Sequence, residues 1–292
     1  MILLDGKKTS QELKEEIAAE VAEMQQQGQK VPHLAAVIVG NDGASLTYVS
    51  SKVRSCEQVG FESTLVRLPE DTTQEDLLKE VAALNANEAI DGYIVQLPLP
   101  AHLDEEEVLL AIDPKKDVDG FHPTNFGRMA LELESFIPAT PFGIMQLLER
   151  YKVDTSGKHA VVIGRSHIVG RPISILLSQK GDFANATVTV AHSRTKDLKA
   201  LLNQADIIVS ALGVPNFVKA DMVKPGAVVI DVGITRVEDA SRPRGYRIVG
   251  DVDFEQVAEK ASYITPVPGG VGPMTIAMLL KNTLLARRRA QS

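Results

Sequence analysis

The chain has 292 residues, 44% hydrophobic and 24% charged, with a formal net charge of −7 and one cysteine. The acidic balance argues against general affinity for nucleic acid, which needs a basic surface to neutralise phosphates, and a single cysteine excludes an internal disulfide. The N-terminus, MILLDGKKTSQELKEE, is charged by its fifth residue, and no run approaches the ~18 apolar residues of a membrane span, so the expectation is a cytoplasmic protein without a membrane partner.

Strand-like and helix-like segments alternate along the chain, the pattern of α/β architecture with mostly parallel strands. A polar helix over about 9–28 leads to the strand LAAVIVG (34–40), and a helix over about 44–59 leads to FESTLVRL (61–68). Another helix, about 73–86, precedes GYIVQLPLP (92–100), a strand its prolines stop abruptly. FIPATPFGIMQLLERY (136–151) reads as a loop feeding a helix that begins near Pro141. The second half gives HAVVIG, a helix from about 168, TVTVA, DIIVSAL, AVVIDVG and YITPV, the strands of a second parallel sheet. A final helix, about 275–288, follows a Gly- and Pro-rich loop and ends in Arg287, Arg288 and Arg289, where positive charge suits a helix C-terminus. The expected fold is therefore two α/β domains, residues 1–142 and 143–274, the second a Rossmann-like doubly wound parallel sheet.

The stretch VVIGRSHIVGRP (161–172) joins a buried strand to a helix through a glycine turn, an arrangement in which free backbone N–H groups and the helix dipole cradle phosphate. Gly164 and Gly170 supply the turn and the close packing. The string fails the G-x-G-x-x-G, P-loop and serine-elbow spacings, and on its own an ordinary tight turn explains it too. The end of the next strand decides the cofactor: an NAD site places an acid there for the ribose hydroxyls, whereas His192, Ser193, Arg194 and Thr195 include none. Arg194 and Ser193, with Arg165 of the first loop, suit the 2′-phosphate of NADP.

Three segments of the first half carry candidate chemistry. In SLTYVSSK (45–52) Tyr48 and Lys52 are four apart, hence on one helix face. Gln96 ends a buried strand at its carboxyl edge, where α/β folds bind ligands. DPKKDVDGFHPTNFG (113–127) offers Asp117 and Asp119 before a glycine turn; an EF-hand fails because Arg128 stands where the closing Glu is required, and no metal site is expected. A turn-capping or salt-bridged role for Asp119 remains open, as does a solvated Lys52. Cys56, in a helical pattern among apolar residues, reads as a small buried hydrophobe.

Taken together, Y-x-x-x-K at 48–52, VQLPLP at 95–100, KDVDGFHPTN at 116–125, VVIGRSHIVGRP and TPVPGGVGPMT at 265–275 resemble the bifunctional methylenetetrahydrofolate dehydrogenase/cyclohydrolases of one-carbon metabolism, over essentially the whole chain. The resemblance implies a folate-binding N-terminal domain, an NADP-binding second domain with the ligand cleft between them, a last helix that packs back on the first domain, and a homodimer acting on tetrahydrofolate derivatives. It implies that Lys52 is the key catalytic residue, that Gln96 orients it, that Tyr48 packs on the folate and that Asp119 anchors the pterin. It adds Val95, Leu97, Pro268, Gly269, Gly270 and Thr275 as folate contacts, and Ser166, Ile168, Val169 and Ile234 as NADP contacts. The X-Pro bonds after Leu97 and Val267 are candidates for the cis form. Two positions depart from the family pattern: Thr235 where asparagine is common, and Ala139 where cysteine often stands.

The expected activity is oxidation of 5,10-methylenetetrahydrofolate by NADP followed by hydrolysis to 10-formyltetrahydrofolate. A two-domain dehydrogenase resembling shikimate dehydrogenase would not explain VQLPLP and KDVDG together. A catalytically silent NADP- or folate-binding regulator would not need Tyr48, Lys52, Gln96 and Asp119 intact.

Overall fold

The structure, a computed structural model, describes residues 1–242 and 245–291. In chain order its elements are β1 (Ile2–Leu3), α1 (Gly6–Gln26), β2 (His33–Val39), α2 (Gly43–Val59), β3 (Glu62–Leu68), α3 (Gln74–Ala86), β4 (Gly92–Val95), α4 (Glu105–Ala111), α5 (Pro123–Ala130), α6 (Ala139–Arg150), β5 (His159–Ile163), α7 (Gly170–Ser178), β6 (Thr187–Ala191), α8 (Leu198–Leu202), β7 (Ile207–Ser210), β8 (Val228–Asp231), β9 (Thr235–Glu238), β10 (Tyr246–Val249), α9 (Phe254–Ala258), β11 (Tyr263–Ile264) and α10 (Val271–Arg289). They form two compact units, Gln11–Ala139 with Ile276–Ser292, and Met1–Ser10 with Thr140–Thr275.

The first unit holds a parallel three-stranded sheet in the order β3-β2-β4. Strand β2 is buried on both faces, which its near-continuous apolar run dictates. Its alternation divides the core: Leu34, Ala36 and Ile38 pack with Ile17 and Val21 of α1, Cys56 of α2 and Leu280 of α10, while Ala35, Val37 and Val39 pack with Leu77 and Val81 of α3 and Val108 of α4. Strand β4 ends at Val95, short of the expected 100, because prolines follow at 98 and 100. Helices α4 and α5 were not among the expected elements. Both have start signals: Asp104 accepts from the N–H groups of Glu106 and Glu107, and His122 caps α5 with Pro123 in its first turn.

The second unit is built on a parallel six-stranded sheet in the order β1-β11-β8-β7-β5-β6. The chain passes from β5 outward to β6, then returns to lay β7 and β8 on the other side of β5, so the winding direction reverses at the carboxyl end of β5. Residues 1–10 belong here because Ile2 and Leu3 pair in parallel with Tyr263 and Ile264. Strands β9 and β10 form a separate antiparallel pair, an exception to the otherwise parallel pattern.

Candidate functional site

Two sets of predicted residues come together, one in each unit. In the first unit, α2 starts at an Asp42 cap that accepts from Ser45 N–H at 2.7 Å and ends at Gly60 in the left-handed region. Its inner face carries Lys52, only 4% exposed. The Lys52 ammonium donates to Gln96 Oε1 at 3.2 Å and lies 4.5 Å from the centroid of the Tyr48 ring, one turn earlier on the same helix. Gln96 is oriented in turn, its Nε2 donating to Leu97 O and its backbone N–H to Val37 O.

The segment bearing Asp119 runs alongside β4. Tyr93 pairs in parallel with Asp117 and donates its N–H to Lys116 O at 3.0 Å, and a Cβ on Gly92 would fall 2.2 Å from Val118. Asp119 follows two residues on, close enough to Lys52 for each charge to bear on the other's ionisation. Asn282 of α10, a residue the sequence reading did not single out, fixes the segment by donating to Val118 O and Ile137 O.

The two aspartates have different roles. Asp117 is fully engaged, accepting from the N–H groups of Gly120, Phe121 and His122 and from Asn125 Nδ2; burial pushes its carboxyl up to about 6 against those donors. Asp119, among the described residues, makes no hydrogen bond within the chain. Burial raises its carboxyl above the usual range and the Lys52 charge opposes that rise; burial likewise lowers Lys52, opposed first by the Asp119 charge. The result is a desolvated amine, an amide that fixes it, an aromatic face and an unengaged carboxylate on one sheet edge. Val95 is 4% exposed with its side chain in the core, which leaves its backbone for a ligand, and Leu97 is half-buried at a cis bond to Pro98. Cys56 has no exposed surface and its thiol is pushed up to about 12, chiefly by burial, which suits a core residue and not a nucleophile.

In the second unit, the turn after β5 is a cradle that side chains would fill. Gly164 has φ +119°, and a Cβ there would lie 2.5 Å from Ala211 O; one on Gly170 would lie 2.3 Å from Gly164 O. Ser166 Oγ accepts from the N–H groups of Val169 and Gly170, which ties down the start of α7. The N–H groups of Arg165, Ser166, His167 and Ile168 have no acceptor within the chain among the described residues. Four successive open donors at the reversal point of a doubly wound sheet fit the pyrophosphate of a dinucleotide.

After β6, His192 Nδ1 accepts from Arg194 N–H and Thr195 Oγ1 from His192 N–H, ordering a turn whose Ser193 and Arg194 are exposed, as is Arg165. Ile168 and Ile234 are also exposed. The TPVPGG loop follows β11: Val267–Pro268 is cis, Pro268 is exposed, Gly269 O accepts from Lys7 N–H, Gly270 is buried, and Thr275 shares a 3.0 Å hydroxyl contact with Thr140.

A cavity of about 860 Å³ opens at the other end of β4, around Asp91, Lys116, Arg287 and Arg289. Those charges are already occupied: Lys116 by Leu84 O and Asn87 O, Arg287 by Lys30 O and Asp91, Arg289 by Glu134. Lys52 and Gln96 are not among its walls, and the chemistry lies elsewhere.

Residues 4–119 match the family model of the tetrahydrofolate dehydrogenase/cyclohydrolase catalytic domain, and residues 138–291 that of the NAD(P)-binding domain of the same name. A protein of Flavobacterium johnsoniae named bifunctional protein FolD is 72% identical over 288 residues, covering 99% of this chain and 98% of that one. The solved N5,N10-methylenetetrahydrofolate dehydrogenase-cyclohydrolase of Trypanosoma brucei, complexed with NADP cofactor and inhibitor, is 42% identical with a TM-score of 0.94, covering 100% of this chain and 98% of that chain. Shikimate 5-dehydrogenase from Thermus thermophilus is similar in fold alone, at 16% identity and a TM-score of 0.52 over 88% of this chain and 99% of that one.

Proposed function

The chain belongs to the tetrahydrofolate dehydrogenase/cyclohydrolase family, and on that premise we propose which of its residues carry the two reactions. It oxidises 5,10-methylenetetrahydrofolate with NADP to the 5,10-methenyl cation and hydrolyses that cation to 10-formyltetrahydrofolate. The unit of Gln11–Ala139 and Ile276–Ser292 binds the folate; that of Met1–Ser10 and Thr140–Thr275 binds NADP.

The open N–H groups of Arg165, Ser166 and Ile168 hold the pyrophosphate region of the cofactor at the α7 N-terminus, while Gly164, Val169 and Gly170 shape the turn that presents them. Arg165, Ser193 and Arg194 bind its 2′-phosphate; charge-assisted bonds of ~1.5–3 kcal/mol each make NADP preferred over NAD. Ile234 gives it an apolar contact. When bound, NADP supplies the oxidising equivalent by accepting hydride from the bridging carbon of the folate. The chain's task in that step is orientation. The free carboxylate of Asp119 accepts two parallel N–H bonds from the 2-aminopyrimidinone edge, Tyr48 offers a flat face to the ring, and the backbone of Val95 and Leu97 completes the folate contacts of this unit.

Hydrolysis needs proton transfer. Water adds to the methenyl carbon and gives a proton to the Lys52 amine; the carbon–N5 bond then breaks as Lys52 returns a proton to N5 and the adduct hydroxyl loses its own, with one proton released overall. Gln96 Oε1 holds the ammonium in place between those events. The observation that carries this reading is a 4% exposed lysine held at 3.2 Å by Gln96, beside a carboxylate that makes no hydrogen bond among the described residues. The reading includes a cytoplasmic homodimer, a symmetric pair being the commonest assembly; among the described residues no helix is long and apolar enough to cross a membrane. The test is to supply 5,10-methenyltetrahydrofolate alone: the protein consumes it without any nucleotide, and consumption at the uncatalysed rate would overturn the assignment.

A further inference from the structure

Two buried carboxylates sit beneath the carboxyl edge of the six-stranded sheet, with no ion pair to either among the described residues. Asp251 has no exposed surface; its Oδ2 accepts from Leu212 N–H at 2.7 Å and Ser210 Oγ at 3.3 Å, and its Oδ1 from Val214 N–H at 2.9 Å. Asp231, 3% exposed at the end of β8, accepts from Gly233 N–H and Asp251 N–H through Oδ1 and from Val252 N–H through Oδ2, each at 2.9 Å. One carboxylate therefore ties the loop after β7 to the β10 return, and the other ties the loop after β8 to the same return. Burial is costly here: desolvation first, with the nearby Asp251 charge adding to it, pushes the Asp231 carboxyl up to about 6 against the N–H groups it accepts from. Apolar packing would close the sheet edge without that cost; only acceptors can fix these N–H groups.

What the pair fixes lies at the cofactor turn. Ala211 O is the atom that a Cβ on Gly164 would strike, so the loop after β7 bears directly on the phosphate cradle. Ile168, Val214 and Ile234, each exposed by 41% or more, stand on the loops after β5, β7 and β8, three neighbouring strands of the sheet. With the 2′-phosphate read after β6, a dinucleotide crossing the reversal point lays its other half over β7 and β8. We propose that Asp251, braced by Asp231, is a positioning residue for the nicotinamide half of NADP, holding the Leu212–Val214 and Gly233–Ile234 loops in their binding shape before the cofactor arrives.

This inference rests on the NADP reading above, and its test separates the two. In Asp251→Asn the side chain keeps its shape, but an amide NH2 now faces either Leu212 N–H or Val214 N–H. NADP affinity, measured by fluorescence titration, should fall by about tenfold or more as the loops lose their preorganisation. Binding of 2′,5′-ADP, which occupies only the phosphate-reading side, should be unchanged, as should hydrolysis of methenyltetrahydrofolate. A fall in NADP affinity matched by an equal fall for 2′,5′-ADP would mean general loosening and overturn the inference, as would unchanged NADP affinity. Should Asp251→Asn fail to melt cooperatively, Ser210→Ala removes only the hydroxyl donated to Oδ2, with the same split expected in direction. Failure of wild-type protein to bind NADP would instead sink the cofactor reading itself.

Discussion

Replacing Lys52 with methionine removes the proposed proton carrier while keeping its length and apolar stem. Positioned acid–base catalysis contributes roughly 10²–10⁴-fold, so Lys52→Met should lower hydrolysis of methenyltetrahydrofolate by that range. The structure also sets the stability cost. Gln96 Oε1 loses a donor at 3.2 Å, a penalty of about 1–3 kcal/mol for an unsatisfied group. Against this, an ammonium on a 4% exposed side chain no longer has to be desolvated, a term of several kcal/mol per ion. Asp119 also loses the charge that opposes its desolvation, so the gain is largely cancelled and the melting temperature should change little. Substrate loss is followed by absorbance without nucleotide, and NADP affinity is titrated on the same preparation, where it should change by no more than about twofold. Full hydrolytic activity in the variant would refute the role of Lys52, and a large loss of stability would refute its desolvated state.

Other consequences follow from the same geometry. Because burial lowers the Lys52 pKa and the Asp119 charge opposes it, Asp119→Asn should move the lysine-dependent limb of the hydrolysis pH profile to lower pH and raise KM for folate; an unmoved limb would contradict the coupling. Arg165→Ala or Arg194→Ala should weaken NADP by about ten- to a hundredfold and leave NAD unaffected, read from titrations with both nucleotides. Asp117 and Asp231 both hold protons up to about pH 6 in the fold against a usual 3.8, so their ionisation lowers stability as pH rises between those values; urea unfolding of Asp231→Asn across that window should show a less negative slope than wild type, and parallel slopes would refute it. Cys56 should react with a thiol reagent only after unfolding.

Much of this arrangement is legible in the residues. The runs LAAVIVG and HAVVIG read as buried strands because both faces are apolar, and Tyr48 and Lys52 share a face by helical spacing alone. Other features depend on contacts across long stretches of sequence. Strand β1 has two residues and gains its identity only from Tyr263 and Ile264. Asp117 and Asp119 look equivalent in DVD; the difference appears only when the turn delivers three N–H groups and Asn125 to one of them. Asn282, Asp231 and Asp251 carry no motif chemistry, and their importance lies in which carbonyls and amides they meet. The β9–β10 pair lies in a charged, irregular stretch with little alternation to announce it.

The most direct test supplies wild-type protein with 5,10-methylenetetrahydrofolate and NADP and records NADPH and methenyl absorbance together. The account predicts that NADPH appears while methenyltetrahydrofolate hardly accumulates, because Lys52 consumes it on the same chain. Methenyl accumulation in step with NADPH would contradict the lysine relay, and absence of reduction with NADP would contradict the account as a whole.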